Sequence, residues 1–186
     1  MVAPRLVNPK EFISSDTLAN ARSLLGLMLV RTTDRGRQSM MITEVEAYDG
    51  ESDLACHASK GRTKRTDVLY RAGGVWYVYL CYGIHEMLNL VVGPENSPAA
   101  VLIRGVGGIS GPGRLTQRLQ IDRKLNGLPA QPQSGLHLED VGMRIPRRRI
   151  QAGPRIGVDY AGPVWAAKPW RFQFDPDGLS PAAGPL

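Results

Sequence analysis

Glu44, Glu46 and Tyr48 stand two residues apart in the stretch Ser39 to Tyr48, which carries the composition of a strand. Successive side chains of a strand point to opposite faces, so these three project from one face. Two carboxylates on one face repel, which raises one pKa and poises a base. The plainer expectation, which spacing alone favours, is that both acids lie on the solvent side. Tyr77, Tyr79 and Tyr82 crowd a second stretch. Tyr77 and Tyr79 share one face, while Trp76 and Val78 take the other. Such tyrosines either pack the sheet with hydroxyls at its rim or offer platforms on which bases stack. Three of the six tyrosines fall here, inside the basic part of the chain, which adds weight to the platform.

Other chemistries find no support. Gly105 to Gly111 has Ser110 where a dinucleotide fingerprint needs its last glycine, and it lacks the βαβ context, so it is expected to be a flexible turn. There is no Gly-Lys-Ser/Thr phosphate loop and no Gly-x-Ser-x-Gly elbow. No metal site is expected: Cys56 and His57 are adjacent, and His85 and His137 stand alone.

The elements that must position these residues follow from local signals. Asp16 caps a helix from Thr17 to about Leu25, stopped at Gly26. Met28 to Arg31 and Ser39 to Tyr48 form a hairpin around the turn Thr33 to Gly36. Gly50 to Arg71 is polar and reads as a long loop or short helices, a place where function concentrates. Val75 to Cys81, Met87 to Val92 and Ala100 to Arg104 are strands. Pro112 to about Ile121 is helical, Ser134 to Arg149 is ambiguous, and Arg155 to Tyr160 and Arg171 to Phe174 are closing strands. Adjacent strands with few intervening helices indicate an α+β fold on an antiparallel sheet. Residues 1–174 form one domain, and 175–186 are a loose Pro/Gly/Ala-rich tail.

The 186 residues suffice for a core without disulfides, and two cysteines build no disulfide framework, pointing to a reducing compartment. No signal peptide or apolar span is evident, so a cytoplasmic location with no membrane partner is expected. The net charge of +6 is uneven: −2 over residues 1–59, +9 over 60–155 and −1 over 156–186. The basic share lies at Lys60–Arg65, Arg114–Lys124 and Arg144–Arg149. These clusters suit a polyanion, or are three solvated loops with no shared face.

Thr43-Glu44-Val45-Glu46-Ala47-Tyr48, His57, Tyr77-Val78-Tyr79-Leu80-Cys81-Tyr82-Gly83, Asn89 and Val101-Leu102-Ile103-Arg104 together resemble the alkyladenine (3-methyladenine/methylpurine) DNA glycosylase family. Gly111–Leu115, Arg155–Val158 and Trp165–Pro169 extend the resemblance across about Leu18 to Phe174. It implies a single α+β domain with a protruding β-hairpin that enters the minor groove, a monomer that needs no cofactor, and a substrate of double-stranded DNA containing damaged purines.

By the same resemblance, Glu46 is the general base for a water attacking the sugar, and Arg104 helps position that water. Tyr48, His57, Tyr79 and Asn89 form the base pocket, with Asn89 excluding normal guanine. Tyr82 intercalates, and the Val158 carbonyl is a backbone water acceptor. Electron-poor alkylated purines would stack well on electron-rich rings. No lysine is placed as an amine nucleophile, so the product is an abasic site. His85 stands near the hairpin tip where an aromatic is common in the family. The alternatives are a non-catalytic nucleic-acid-binding module of the same fold, or a metal-dependent nuclease.

Overall fold

A computed structural model describes residues 3–177. The described residues form ten strands and three α-helices. In chain order these are β1 (Arg5–Leu6), α1 (Thr17–Leu24), β2 (Met28–Thr33), β3 (Gly36–Asp49), β4 (Trp76–Cys81), β5 (His85–Val91), β6 (Ala99–Val106), β7 (Ile109–Ser110), α2 (Pro112–Arg118), β8 (Leu136–Asp140), β9 (Gln151–Gly153), α3 (Gly162–Ala166) and β10 (Arg171–Gln173). Short 3-10 turns fill much of the rest, among them His57–Lys60, Asp67–Tyr70 and Asp159–Ala161. The α+β expectation holds: one antiparallel sheet runs β1-β8-β2-β3-β6-β5-β4, with β10 beside β3, β9 beside β10 and β7 beside β6.

β3 organises the molecule. Its first half pairs with β2 as Met28↔Met41 through Thr33↔Gly36, closed by the two-residue turn Asp34-Arg35. Its second half has β6 on one side and β10 on the other. An irregularity around Glu44 separates the halves and shifts the register against β6, as bulges do when they re-aim a strand near a site. Gly105 faces that irregularity, and a Cβ there would stand 2.9 Å from Glu44 Cβ, so only glycine lets β6 approach this closely.

The alternation foreseen for β3 and β4 is realised. Val45 and Ala47, with Trp76 and Val78, enter the main core beside Leu24, Ile103 and Phe172. Tyr77 joins a second cluster with Cys56 and Leu69, on which Tyr48 and Tyr79 pack. Asp16 caps α1 through Ala19 N at 2.8 Å, as its position predicts. Trp76, fully buried, still satisfies its indole by donating to Leu136 O at 3.0 Å.

Several boundaries differ. Arg155 to Tyr160 is not a strand: the strand lies earlier, at Gln151–Gly153, and Pro154 ends it by offering no donor. The ambiguous Ser134 to Arg149 contains β8, and the two-residue β1 that pairs with it gave no sequence signal. α2 ends at Arg118, where Gln120 takes a positive φ of 52°. The expected flexible turn at 105–111 is instead a tight hairpin of β6 with β7. The expected tail is described as far as Asp177; its remainder lies outside the described residues. Among the described residues no helix is long and apolar enough to cross a membrane.

Candidate active site

Glu44 and Glu46 lie on the face of β3 opposite the main core, yet neither faces solvent. Glu46 has no exposed surface and Glu44 is 6% exposed, because β6 and β10 flank the strand at this point. That overturns the solvent-side expectation. Arg104 of β6 stands between the two acids, its Nε 3.0 Å from Glu44 and 3.6 Å from Glu46. Glu44 also receives Arg171 at 2.9 Å from β10. Glu46 has different partners: the Tyr48 hydroxyl donates to one oxygen at 2.8 Å, and the backbone N–H of Ile156 donates to the other at 2.9 Å.

Burial pushes the Glu46 carboxyl above the usual carboxylate range, while its two donors and Arg104 pull in the opposite direction. The sequence assigned that rise to repulsion between the two acids. In the structure Glu44 contributes least, because Arg104 lies between them.

A cavity of about 650 Å³ opens over this face, a size usual for ligand sites. Tyr48, His57, Tyr79, Asn89, Tyr82, Arg104 and Val158 all line it, so seven of the eight candidates meet in one place. Glu46, the eighth, lies beneath the lining and reaches it through Tyr48 and Ile156.

His57 opens the first of the two 3-10 turns in the 50–71 loop. Its ring meets Tyr79 edge-on at 4.5 Å, and its Nδ1 is 2.9 Å from the Tyr77 hydroxyl. Burial first, and then Arg65, hold the imidazole down at about 4, so it is neutral at physiological pH. Asn89 on β5 is buried, lines the cavity and donates to the backbone carbonyl of Tyr77 at 3.2 Å. The Val158 carbonyl accepts from Ala161 N at 2.9 Å, leaving one lone pair for another donor.

Tyr82 occupies the β4–β5 hairpin tip, 89% exposed, with φ of 49° followed by Gly83 at 73°. Its neighbour Ile84 is 72% exposed. His85 pairs with Cys81 at the base of the tip and packs against Gly113, where a Cβ would lie 2.8 Å from its Nδ1.

Sequence patterns missed the joint that holds the cavity. Arg155 and Asp53 form an ion pair whose side chains are both fully buried, with contacts of 2.5 and 2.9 Å. Arg155 also donates to Ala47 O, and its guanidinium lies 4.8 Å from the Tyr48 ring centre and 5.1 Å from that of Trp170. Asp53 accepts from Asp49 N and Ala55 N. Asp53 was visible only as one of an acidic run, and Arg155 only as the start of Arg155–Val158. Of the basic clusters, the first supplies Lys60 and Arg65 to the cavity lining. Arg144 pairs with Asp140 on β8, so the third cluster is partly neutralised. Among the described residues no three His, Cys, Asp or Glu side chains gather as metal ligands.

The methylpurine-DNA glycosylase family model matches residues 11–109 and 107–177. A protein of Psychrobacter cryohalolentis is 42% identical over 203 residues, covering 93% of this chain and 92% of its own length. One of Methanocella arvoryzae is 44% identical over 186 residues, covering 89% and 91%. One of Myxococcus xanthus is 44% identical over 175 residues, covering 88% of each. All three carry the name "Putative 3-methyladenine DNA glycosylase". With the family's model spanning the sheet and both walls of the cavity, the chain belongs to the methylpurine-DNA glycosylases, hydrolases acting on N-glycosyl bonds.

Proposed function

We propose that the protein extrudes a damaged purine from duplex DNA into the cavity over β3 and hydrolyses its N-glycosidic bond, leaving an abasic site. The observation that carries this is the setting of Glu46, a buried carboxylate held by one side-chain and one backbone donor directly beneath an aromatic-walled cavity. A water between Glu46 and the sugar attacks C1′. The new O–C1′ bond forms as the C1′–N bond breaks, its electron pair leaves with the base, and the water's proton passes to Glu46. Carboxylate charge beside an oxocarbenium-like carbon stabilises the transition state, as in sugar hydrolysis.

Arg104 holds Glu46 toward its ionised form and orients the water with the Val158 carbonyl. Tyr48, His57 and Tyr79 stack on the base, and Asn89 leaves the 2-amino group of guanine without a partner, at a cost of about 1–3 kcal/mol. Tyr82 fills the gap left in the duplex; the flip costs a few kcal/mol and least for a damaged base. The basic cluster at Lys60–Arg65 meets the backbone, so affinity falls steeply with salt.

The test is incubation with a duplex carrying one hypoxanthine or alkylated purine, with and without alkali. Strand breaks are expected only after alkali. Glu46→Gln is expected to bind the damaged duplex and release no base. Binding without release by the wild type would leave a nucleic-acid-binding module. Breaks before alkali that need added divalent cation would mean a nuclease.

A further inference from the structure

Each tyrosine that flanks the cavity as a stacking platform already carries a guanidinium. Arg155 lies 4.8 Å from the ring centre of Tyr48, and Arg65 lies 5.3 Å from that of Tyr79. A cation over an aromatic face draws on the electron density that a positively charged base would use, and repels that base through the ring. The two arginines differ in one respect. Arg155 is neutralised by Asp53, just as Glu44 is by Arg104 and Arg171. Arg65 and Lys60 line the cavity and make no ion pair among the described residues. The cavity wall around Tyr79 therefore keeps an uncompensated positive charge. Arg65 also acts on its neighbours: its charge adds to burial in keeping His57 neutral, and it opposes the rise that burial imposes on the Tyr77 phenol.

We propose that Arg65 is a specificity residue: its guanidinium, laid on Tyr79, sets the pocket against purines carrying a fixed positive charge and in favour of neutral lesions. This rests on the glycosylase function proposed above and goes beyond it by assigning charge selection to one side chain. It also modifies the simple expectation that electron-rich rings favour cationic alkylpurines, since the electron-rich faces are partly spoken for. Arg65 is exposed, so its substitution leaves the core untouched.

The test uses two duplexes of identical sequence, one with hypoxanthine, which is neutral, and one with 7-methylguanine, which is cationic. Single-turnover base release is measured on both for the wild type, Arg65→Gln, Arg65→Met and Arg65→Lys. Phosphate contacts are common to both duplexes and cancel in the ratio of rates. Loss of the charge in Arg65→Gln and Arg65→Met is expected to raise the 7-methylguanine to hypoxanthine ratio about three- to tenfold, the scale of one unit charge acting at a partly solvated site. Arg65→Lys keeps the charge and stays near the wild-type ratio. A ratio unchanged in both neutral variants would overturn the proposal, and the two rates falling together would then make Arg65 a phosphate contact only. Wild-type release of neither base would overturn the glycosylase function itself, and this inference with it.

Discussion

Arg155 and Asp53 join the two walls of the cavity through an ion pair with no exposed side-chain surface. One partner begins the Arg155–Val158 segment, whose next residue supplies the N–H that holds Glu46. The other closes the loop after β3 by accepting from Asp49 N and Ala55 N. The pair thus fixes the distance between the carboxylate and the aromatic wall.

Asp53→Asn leaves the Arg155 charge buried without its counter-ion. It is expected to destabilise the fold by about 3–5 kcal/mol, the usual cost of breaking a buried pair from one side. Urea denaturation of the two proteins measures it, and a difference under 1 kcal/mol would show that the pair is not structural.

The folded pKa of Glu46 is raised above its unfolded value, chiefly by burial. A carboxyl raised in this way favours the folded state below its ordinary value of 4.5, and that contribution is lost as pH rises through the folded pKa. The proposed reaction needs the ionised form, so the rate is expected to climb with pH through a midpoint above 4.5. Tyr48→Phe keeps the ring but removes a donor that lowers this pKa, and is expected to move the midpoint to higher pH. A pH–rate profile of the two proteins on one lesion checks both statements.

The imidazole of His57 is held at about 4, below its ordinary 6.5. A depressed pKa contributes stability above 6.5 that is lost as pH falls through about 4. NMR titration of the three histidines is expected to show the His57 ring protons shifting only near the low end of that window. Arg65→Gln removes the smaller of the two causes, so the midpoint is expected to move upward.

Tyr82 holds a left-handed backbone at the hairpin tip with its ring in solvent. Non-glycine residues in that region carry a strain of order 1 kcal/mol. Tyr82→Gly is expected to leave thermal stability unchanged or slightly higher while weakening retention of a lesion duplex by tenfold or more. Paired melting and binding measurements test this, and a variant binding as well as the wild type would remove Tyr82 from the DNA contact.

Local periodicity determined a good part of this in advance. A two-residue alternation places Glu44, Glu46 and Tyr48 on one face and sends Val45 and Ala47 to the core whatever the partners of the strand. The Asp16 cap and the tyrosine-rich strand were equally legible, because each depends on neighbours in sequence. What the acids experience was not legible. Glu46 is buried because β6 and β10 close on it, and its second donor comes from a residue 110 positions away. Arg155 meets Asp53 across 102 positions, and doing so takes the segment that looked like a closing strand out of the sheet. Side-chain direction is set by the pleat, which sequence carries. Dielectric, charge pairing and the arginines on the tyrosine faces are set by long-range packing, which only the tertiary structure decided.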